Sequence, residues 1–259
     1  MIWRRESMWQ VFVRWYHKCS SPKWFYQMSK PWSFWLGWAA FVLITVALIW
    51  GLAFAPVERV QGNSYRIIFI HVPSAFLSEA IYMSIAVAGA VGLVWRIKLA
   101  FYVAKACIPI GMTMAFLALA TGAIWGKPTW GDWWVWDMRV TSMLILFLLY
   151  IGLWALHNAM ERPESGDRAA AILALVGVVN IPIIKYSVNL VTTLHQPATL
   201  KFTEKAPMHI SMLVPLLLSI LGFYLAFLAW MCIRARLEIL KRERKALWAQ
   251  KEIEQLGGL

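Results

Sequence analysis

Apolar positions gather into six long runs, at about 34–54, 75–95, 101–124, 140–160, 169–191 and 209–233. Each comes near the roughly 20 residues that a helix, rising about 1.5 Å per residue, needs to cross the hydrocarbon of a bilayer. Within the fifth run Pro182 predicts a kink, because proline has no N–H to donate and its ring crowds the preceding turn. The pattern predicts an all-α integral membrane protein, a six-transmembrane-helix bundle whose even number of crossings places both termini on one side. The last run is expected to continue as a helix through about 234–255, where Leu237, Leu240, Leu247 and Ile253 are too sparse for a coiled coil.

One link between runs is unlike the others. Trp125-Gly-Lys-Pro-Thr-Trp130-Gly-Asp-Trp-Trp-Val-Trp136-Asp137-Met-Arg139 carries five indoles, Trp125, Trp130, Trp133, Trp134 and Trp136. Gly126, Pro128 and Gly131 are expected to prevent a continuous helix there. Tryptophan also gathers where a membrane meets water, and such a belt accounts for one or two residues at the end of a span. Five crowded into one loop point beyond a belt, to a flat apolar partner.

Composition agrees with the pattern: of 259 residues 61% are hydrophobic and 15% charged, and the formal net charge is +12. The chain divides into a basic, aromatic segment 1–33, a membrane domain 34–233 with the tryptophan loop at 125–139, and a basic end 234–259. Arg4, Arg5, Arg14, Lys18, Lys23 and Lys30 face a single acid, Glu6, among interleaved aromatics in the first segment. This reads as a stretch lying on an anionic lipid leaflet rather than as a nucleic-acid grip, since membrane topology accounts for the charge. Ala53-Phe54-Ala55 resembles a signal-peptide cleavage site, yet the basic region before it is too long and the run it ends reaches spanning length.

Lys and Arg in the links set the orientation. With the terminal side go the six residues just named, Arg96, Lys98, Arg162, Arg168 and the basic cluster from Arg234 to Lys251; with the other side go only Arg59, Arg66, Lys127, Arg139, Lys201 and Lys205. Both termini are therefore expected in the cytoplasm, and the tryptophan loop, His71 and His195 on the outer face.

Cys19, Cys107 and Cys232 fall on the inner side or within a span and offer no outer disulfide, and neither C-x-x-C nor a phosphate-binding glycine loop occurs. The histidines are more informative. His17 and His157 lie on the inner side, where snorkelling or capping accounts for them, and His209 opens the sixth run as an interfacial residue. His71 and His195 flank the tryptophan loop on its own side, as axial ligands to a flat metal macrocycle would. Haem needs imidazole nitrogens on both faces of its iron and aromatic surface against its ring, which Trp130, Trp133, Trp134 and Trp136 can provide. Asp137 suits a helix N-cap or the site itself, and Arg139 suits a propionate. Within the spans, Lys105 is placed to snorkel, and Glu79 and Lys185 lie at comparable depth and are expected to pair.

The stretch from Trp125 to Thr141 resembles the tryptophan-rich WWD signature of membrane haem-handling proteins. Together with Gln61-Gly-Asn-Ser-Tyr-Arg-Ile-Ile, His71-Val-Pro-Ser-Ala, Val179-Asn-Ile-Pro-Ile-Ile-Lys-Tyr-Ser-Val and Thr193-Leu-His195-Gln-Pro, it is similar to the haem exporter protein C family (CcmC) of cytochrome c maturation. Leu190-Val191 departs from that pattern, since related sequences often carry a tryptophan pair there. The resemblance implies a non-enzymatic protein of the bacterial inner membrane that holds haem b noncovalently, with His71 and His195 as iron ligands. It implies further that the loop Trp125, Trp130, Trp133, Trp134, Trp136, Asp137 and Arg139 presents haem to the periplasmic chaperone CcmE, with CcmA, CcmB and CcmD as membrane partners. The alternatives are a bis-histidine cytochrome b that exchanges electrons with quinone, for which ligands at span mouths are misplaced, and a haem permease, for which Glu79, Asn180, Lys105 and Lys185 make a thin polar path.

Overall fold

The computed structural model describes residues 18, 20–190, 195 and 208–257. Its helices are α1 (Pro22–Ile49), α2 (Ile68–Trp95), α3 (Lys98–Trp130), α4 (Met138–Ala159), α5 (Pro163–Gly177), α6 (Asn180–Leu190), α7 (Ile210–Arg242) and α8 (Leu247–Gly257). A π-helical turn, Trp50–Phe54, extends α1, and a 3-10 turn, Asn63–Ile67, leads into α2. Six helical stretches are long and apolar enough to cross a membrane: Pro22–Phe54, Asn63–Trp95, Lys98–Trp130, Met138–Ala159, Pro163–Ser187 and Ile210–Arg242. Their outward side chains, such as Trp35, Phe41, Val87, Leu148, Trp154 and Val176, are exposed and apolar, as a lipid-facing surface requires.

The helix ends depart from the sequence expectations in instructive ways. The first span begins at Pro22, inside the segment read as a separate basic stretch, with Ser21 as N-cap. The tryptophan stretch is not a loop from Trp125 onward: α3 runs through Gly126 and Pro128 and ends at Trp130. Proline costs a helix one bond and crowds one carbonyl, and the final turn compensates. Thr129 Oγ1 donates to the Trp125 carbonyl at 2.8 Å, and Lys127 Nζ to the Gly131 carbonyl at 2.7 Å. Gly131 stops the helix at φ +89°, a left-handed conformation that favours glycine. The fifth crossing breaks between α5 and α6, one turn before Pro182, because the proline withholds an N–H from the Val178 carbonyl. At the far end, α7 stops at Arg242 and a turn separates it from α8, so the single helix expected through 255 is two.

Helices α2 to α6 form one packed body, and α7 leans on α2 and α3 while α1 packs chiefly along α7. Tyr82 of α2 and Tyr150 of α4 cross edge to face at 5.4 Å in the centre of the body, both fully buried. Tyr150 donates to the Ser78 carbonyl at 2.7 Å, so the buried hydroxyl is satisfied. In this arrangement the α2 start, the α3 end and the α4 start share one end of the bundle, here the tryptophan end.

The opposite end is tied by charge. Arg242 meets both Asp167 oxygens, at 3.0 and 3.1 Å, and donates from Nε to Glu238 at 2.6 Å. Lys105 donates to the same Glu238 at 2.9 Å, and His157 Nδ1 lies 3.5 Å from Asp167. Lys105 and His157, expected to snorkel or cap, instead belong to a network joining α3, α4, α5 and α7.

Candidate functional site

His71 sits in the first turn of α2, where the 3-10 turn before it leads the chain into the bundle at the tryptophan end. Its Nδ1 lies 3.0 Å from Thr121 Oγ1 of α3, and one turn further along α3 the Trp125 ring meets the imidazole edge to face at 5.5 Å. Trp125 is held in turn: its indole N–H donates to Gln61 Oε1 at 2.7 Å, and Tyr65 packs against it at 5.8 Å. Gln61 is placed by Glu58, whose carboxylate accepts from the backbone N–H groups of Val60 at 2.8 Å and Gln61 at 2.6 Å. The Gln61 N–H holds the Glu58 carboxyl below the usual carboxylate range.

His195 stands against the end of α3 and the start of α4. Its Nδ1 lies 2.7 Å from Asp137 Oδ2, and its ring centroid is 4.6 Å from that of Trp130. Asp137 is at the same time the N-cap of α4, accepting from the Val140 N–H on Oδ1 at 2.8 Å, so it performs both roles that the sequence allowed. Burial pushes the His195 imidazole below its ordinary value, against the upward pull of the Asp137 carboxylate, and so favours the neutral, metal-binding form. The rest of the 192–197 stretch lies outside the described residues, as do His17, Cys19, Lys201 and Lys205.

The five indoles divide into two sets. Trp125 and Trp130, on the last turns of α3, each buttress one histidine. Trp133, Trp134 and Trp136 occupy the true loop, with Trp134 and Trp136 edge to face at 5.4 Å. Trp133 and Trp136 are 59% and 74% exposed, an apolar surface turned away from the bundle. Trp134 Nε1 and Arg139 Nε are buried without a hydrogen-bond partner among the described residues. Such orphaned donors are rare, and these two fit an acceptor. Arg139 is within electrostatic reach of His71, His195 and Glu79, which brings the two imidazoles and the guanidinium into one neighbourhood. Beside Trp125 a groove of about 540 Å³ opens, with Leu52, Ile70 and Ile124 on its apolar wall and Asn63, Ser64 and Arg66 on its polar one.

The expected Glu79–Lys185 ion pair does not close. Lys185 is exposed, with its ammonium 6.0 Å from the Tyr186 ring, and Arg139 acts on Glu79 more strongly than Lys185 does. A lysine near the end of a span gains more by extending to the interface than by staying in hydrocarbon. His209 is the N-cap of α7, accepting from the Ser211 N–H. Thr121 carried no functional reading from sequence, although it precedes Trp125 by four residues and so shares its helical face.

A family model described as heme exporter protein C matches residues 15–250. The chain belongs to the haem exporter protein C family. It is 45% identical over 237 residues to the heme exporter protein C of Haemophilus influenzae, covering 92% of this chain and 96% of that one. It is 45% identical over 250 residues to that of Escherichia coli K12, covering 96% and 99%. It is 39% identical over 229 residues to that of Rhodobacter capsulatus, covering 88% and 95%. Membership spans the full membrane domain, including both histidines and the tryptophan stretch.

Proposed function

We propose that this chain carries haem in cytochrome c maturation, holding haem b noncovalently at the outer face of the bacterial inner membrane between His71 and His195 and passing it to the periplasmic chaperone CcmE. The observation that carries this reading is the pair of imidazoles, 124 positions apart in sequence, each backed by a hydrogen-bond partner and an indole. Haem fits the remaining features: its iron takes the two imidazoles, its ring suits the indole surfaces, and its carboxylates suit the orphaned Trp134 and Arg139 donors. The protein binds and presents its cargo and catalyses no bond change. The distribution of Lys and Arg supports cytoplasmic termini, with CcmA, CcmB and CcmD as partners within the membrane.

The test is the absorption spectrum of purified protein supplied with haem, wild type beside His71→Ala and His195→Ala. Wild type is expected to bind haem, each variant to lose a ligand and much of the occupancy, and added imidazole to restore part of it by filling the vacated position. Spectra unchanged in both variants would remove the ligand assignment. A reporter fused after residue 259 is expected to be cytoplasmic, and one inserted near Thr129 external.

A further inference from the structure

The stretch of α3 from Thr121 to Trp125 forms a socket for the His71 imidazole, and the hydrogen-bonding capacity of one hydroxyl decides which ring nitrogen is left free. Thr121 is buried, 8% exposed, and its hydroxyl oxygen lies 2.6 Å from the Leu117 carbonyl oxygen and 3.3 Å from that of Ala118, neither of which can do anything but accept its proton. A hydroxyl carries one donor and two acceptor lone pairs. With the proton committed to a backbone carbonyl, Thr121 Oγ1 can only accept from His71 Nδ1, 3.0 Å away. The proton of the neutral ring must then sit on Nδ1, leaving the Nε2 lone pair free.

Gly122, the next residue, completes the socket. A Cβ there would stand 3.1 Å from His71 Cε1, tighter than an ordinary contact, so glycine lets the ring sit close without being displaced by a few tenths of an ångström. Trp125 closes the third side with its ring 78° to the imidazole. Thr121, Gly122 and Trp125 thus line one ring from a single stretch of helix, where the Ala118 carbonyl also lies within hydrogen-bonding reach of the imidazole.

We infer that Thr121 is a positioning residue: through its committed hydroxyl it holds His71 as the Nδ1–H tautomer and presents Nε2 to a metal. The inference rests on the haem reading for why the tautomer matters, since a ligating imidazole is oriented by what its other nitrogen donates to. It also makes the two ligands unequal. His195 donates to a carboxylate and His71 to a neutral hydroxyl, which makes His195 the more basic ligand.

The experiment reads the tautomer directly in haem-free, full-length protein in lipid at pH 8, by nitrogen magnetic resonance of ¹⁵N-labelled histidine, with His71→Ala assigning the signal. Wild type and Thr121→Ser are expected to show His71 protonated at Nδ1, and Thr121→Val, which keeps the shape and removes the acceptor, to show a mixture with Nε2–H. Haem affinity is expected to fall roughly 10- to 100-fold in Thr121→Val, as for other partners of metal-bound histidines, and to return in Thr121→Ser. A wild-type His71 protonated at Nε2, or a tautomer unmoved by Thr121→Val, would overturn the inference. Because the tautomer is read without haem, a wild type with the expected signal that takes up no haem supports the socket and refutes the haem reading instead.

Discussion

Asp137 holds His195 Nδ1 at 2.7 Å with one carboxylate oxygen and the Val140 N–H at 2.8 Å with the other, so a single side chain starts α4 and orients an imidazole. The two duties separate by substitution. Asn caps a helix about as well as Asp but carries no charge, whereas Ala loses the cap at a cost of about 1 kcal/mol. Asp137→Asn is therefore expected to unfold at the wild-type temperature while binding haem roughly 10- to 100-fold more weakly, and Asp137→Ala to lose both. Thermal unfolding of haem-free protein beside haem titration separates them; equal affinity in wild type and Asp137→Asn would show that the carboxylate serves only the helix.

The buried Trp134 indole N–H, without a partner among the described residues, makes a second prediction. A donor left unsatisfied does not stabilise the haem-free protein, so Trp134→Phe is expected to keep its stability apart from a small packing change. If the indole donates to a haem carboxylate, a charged hydrogen bond contributes about 1.5–3 kcal/mol, so haem should bind the variant about 10- to 100-fold more weakly. Haem with both propionates esterified should bind wild type and Trp134→Phe alike. A variant that discriminates equally against the ester would assign Trp134 to ring packing alone.

The spans, and the residue types that gather at the tryptophan end, are legible in the sequence, and what is not legible there shares a cause. The six apolar runs locate the spans because hydrocarbon imposes their length, and His71, His195 and the tryptophans stand out by residue type. The helix end at Trp130 is not legible because Gly126 and Pro128 taken alone signal a break, whereas the Thr129 and Lys127 side chains restore the last turn. Thr121 does not stand out because its partner lies 50 positions away, and a lone threonine in an apolar run has no local signature. Glu79 and Lys185 matched in depth but not in direction, and depth alone does not make a pair.

The ion network at the opposite end is expected to stabilise the fold without touching the site. Asp167 and Arg242 have side chains only 5% and 10% exposed, and removing one partner of a buried pair leaves a charge uncompensated. Asp167→Ala should lower stability by about 3–5 kcal/mol. The haem spectrum of the folded fraction should not change, because α7 alone extends roughly 50 Å between the two ends. A stability loss below about 1 kcal/mol would mean that Glu238 and water satisfy Arg242 without Asp167.

The division of the indoles separates holding haem from handing it on. Trp125 and Trp130 contact the imidazoles, whereas Trp133 and Trp136 face outward with more than half their surface exposed. Replacing Trp125 or Trp130 by Ala is expected to weaken haem retention, because each imidazole loses the ring that sets its tilt. An aromatic contact contributes about 0.5–1.5 kcal/mol beyond its burial, so one such variant should lose no more than roughly tenfold from that contact. Trp133→Ala with Trp136→Ala should leave retention close to wild type and reduce transfer, since an exposed apolar surface of this kind is where a protein partner docks. The quantity to measure is haem recovered on the co-expressed periplasmic chaperone, divided by haem still held by this protein. A ratio that stays at the wild-type value in the Trp133/Trp136 double variant, with haem content lowered, would make the loop a wall of the binding site and assign delivery to another surface.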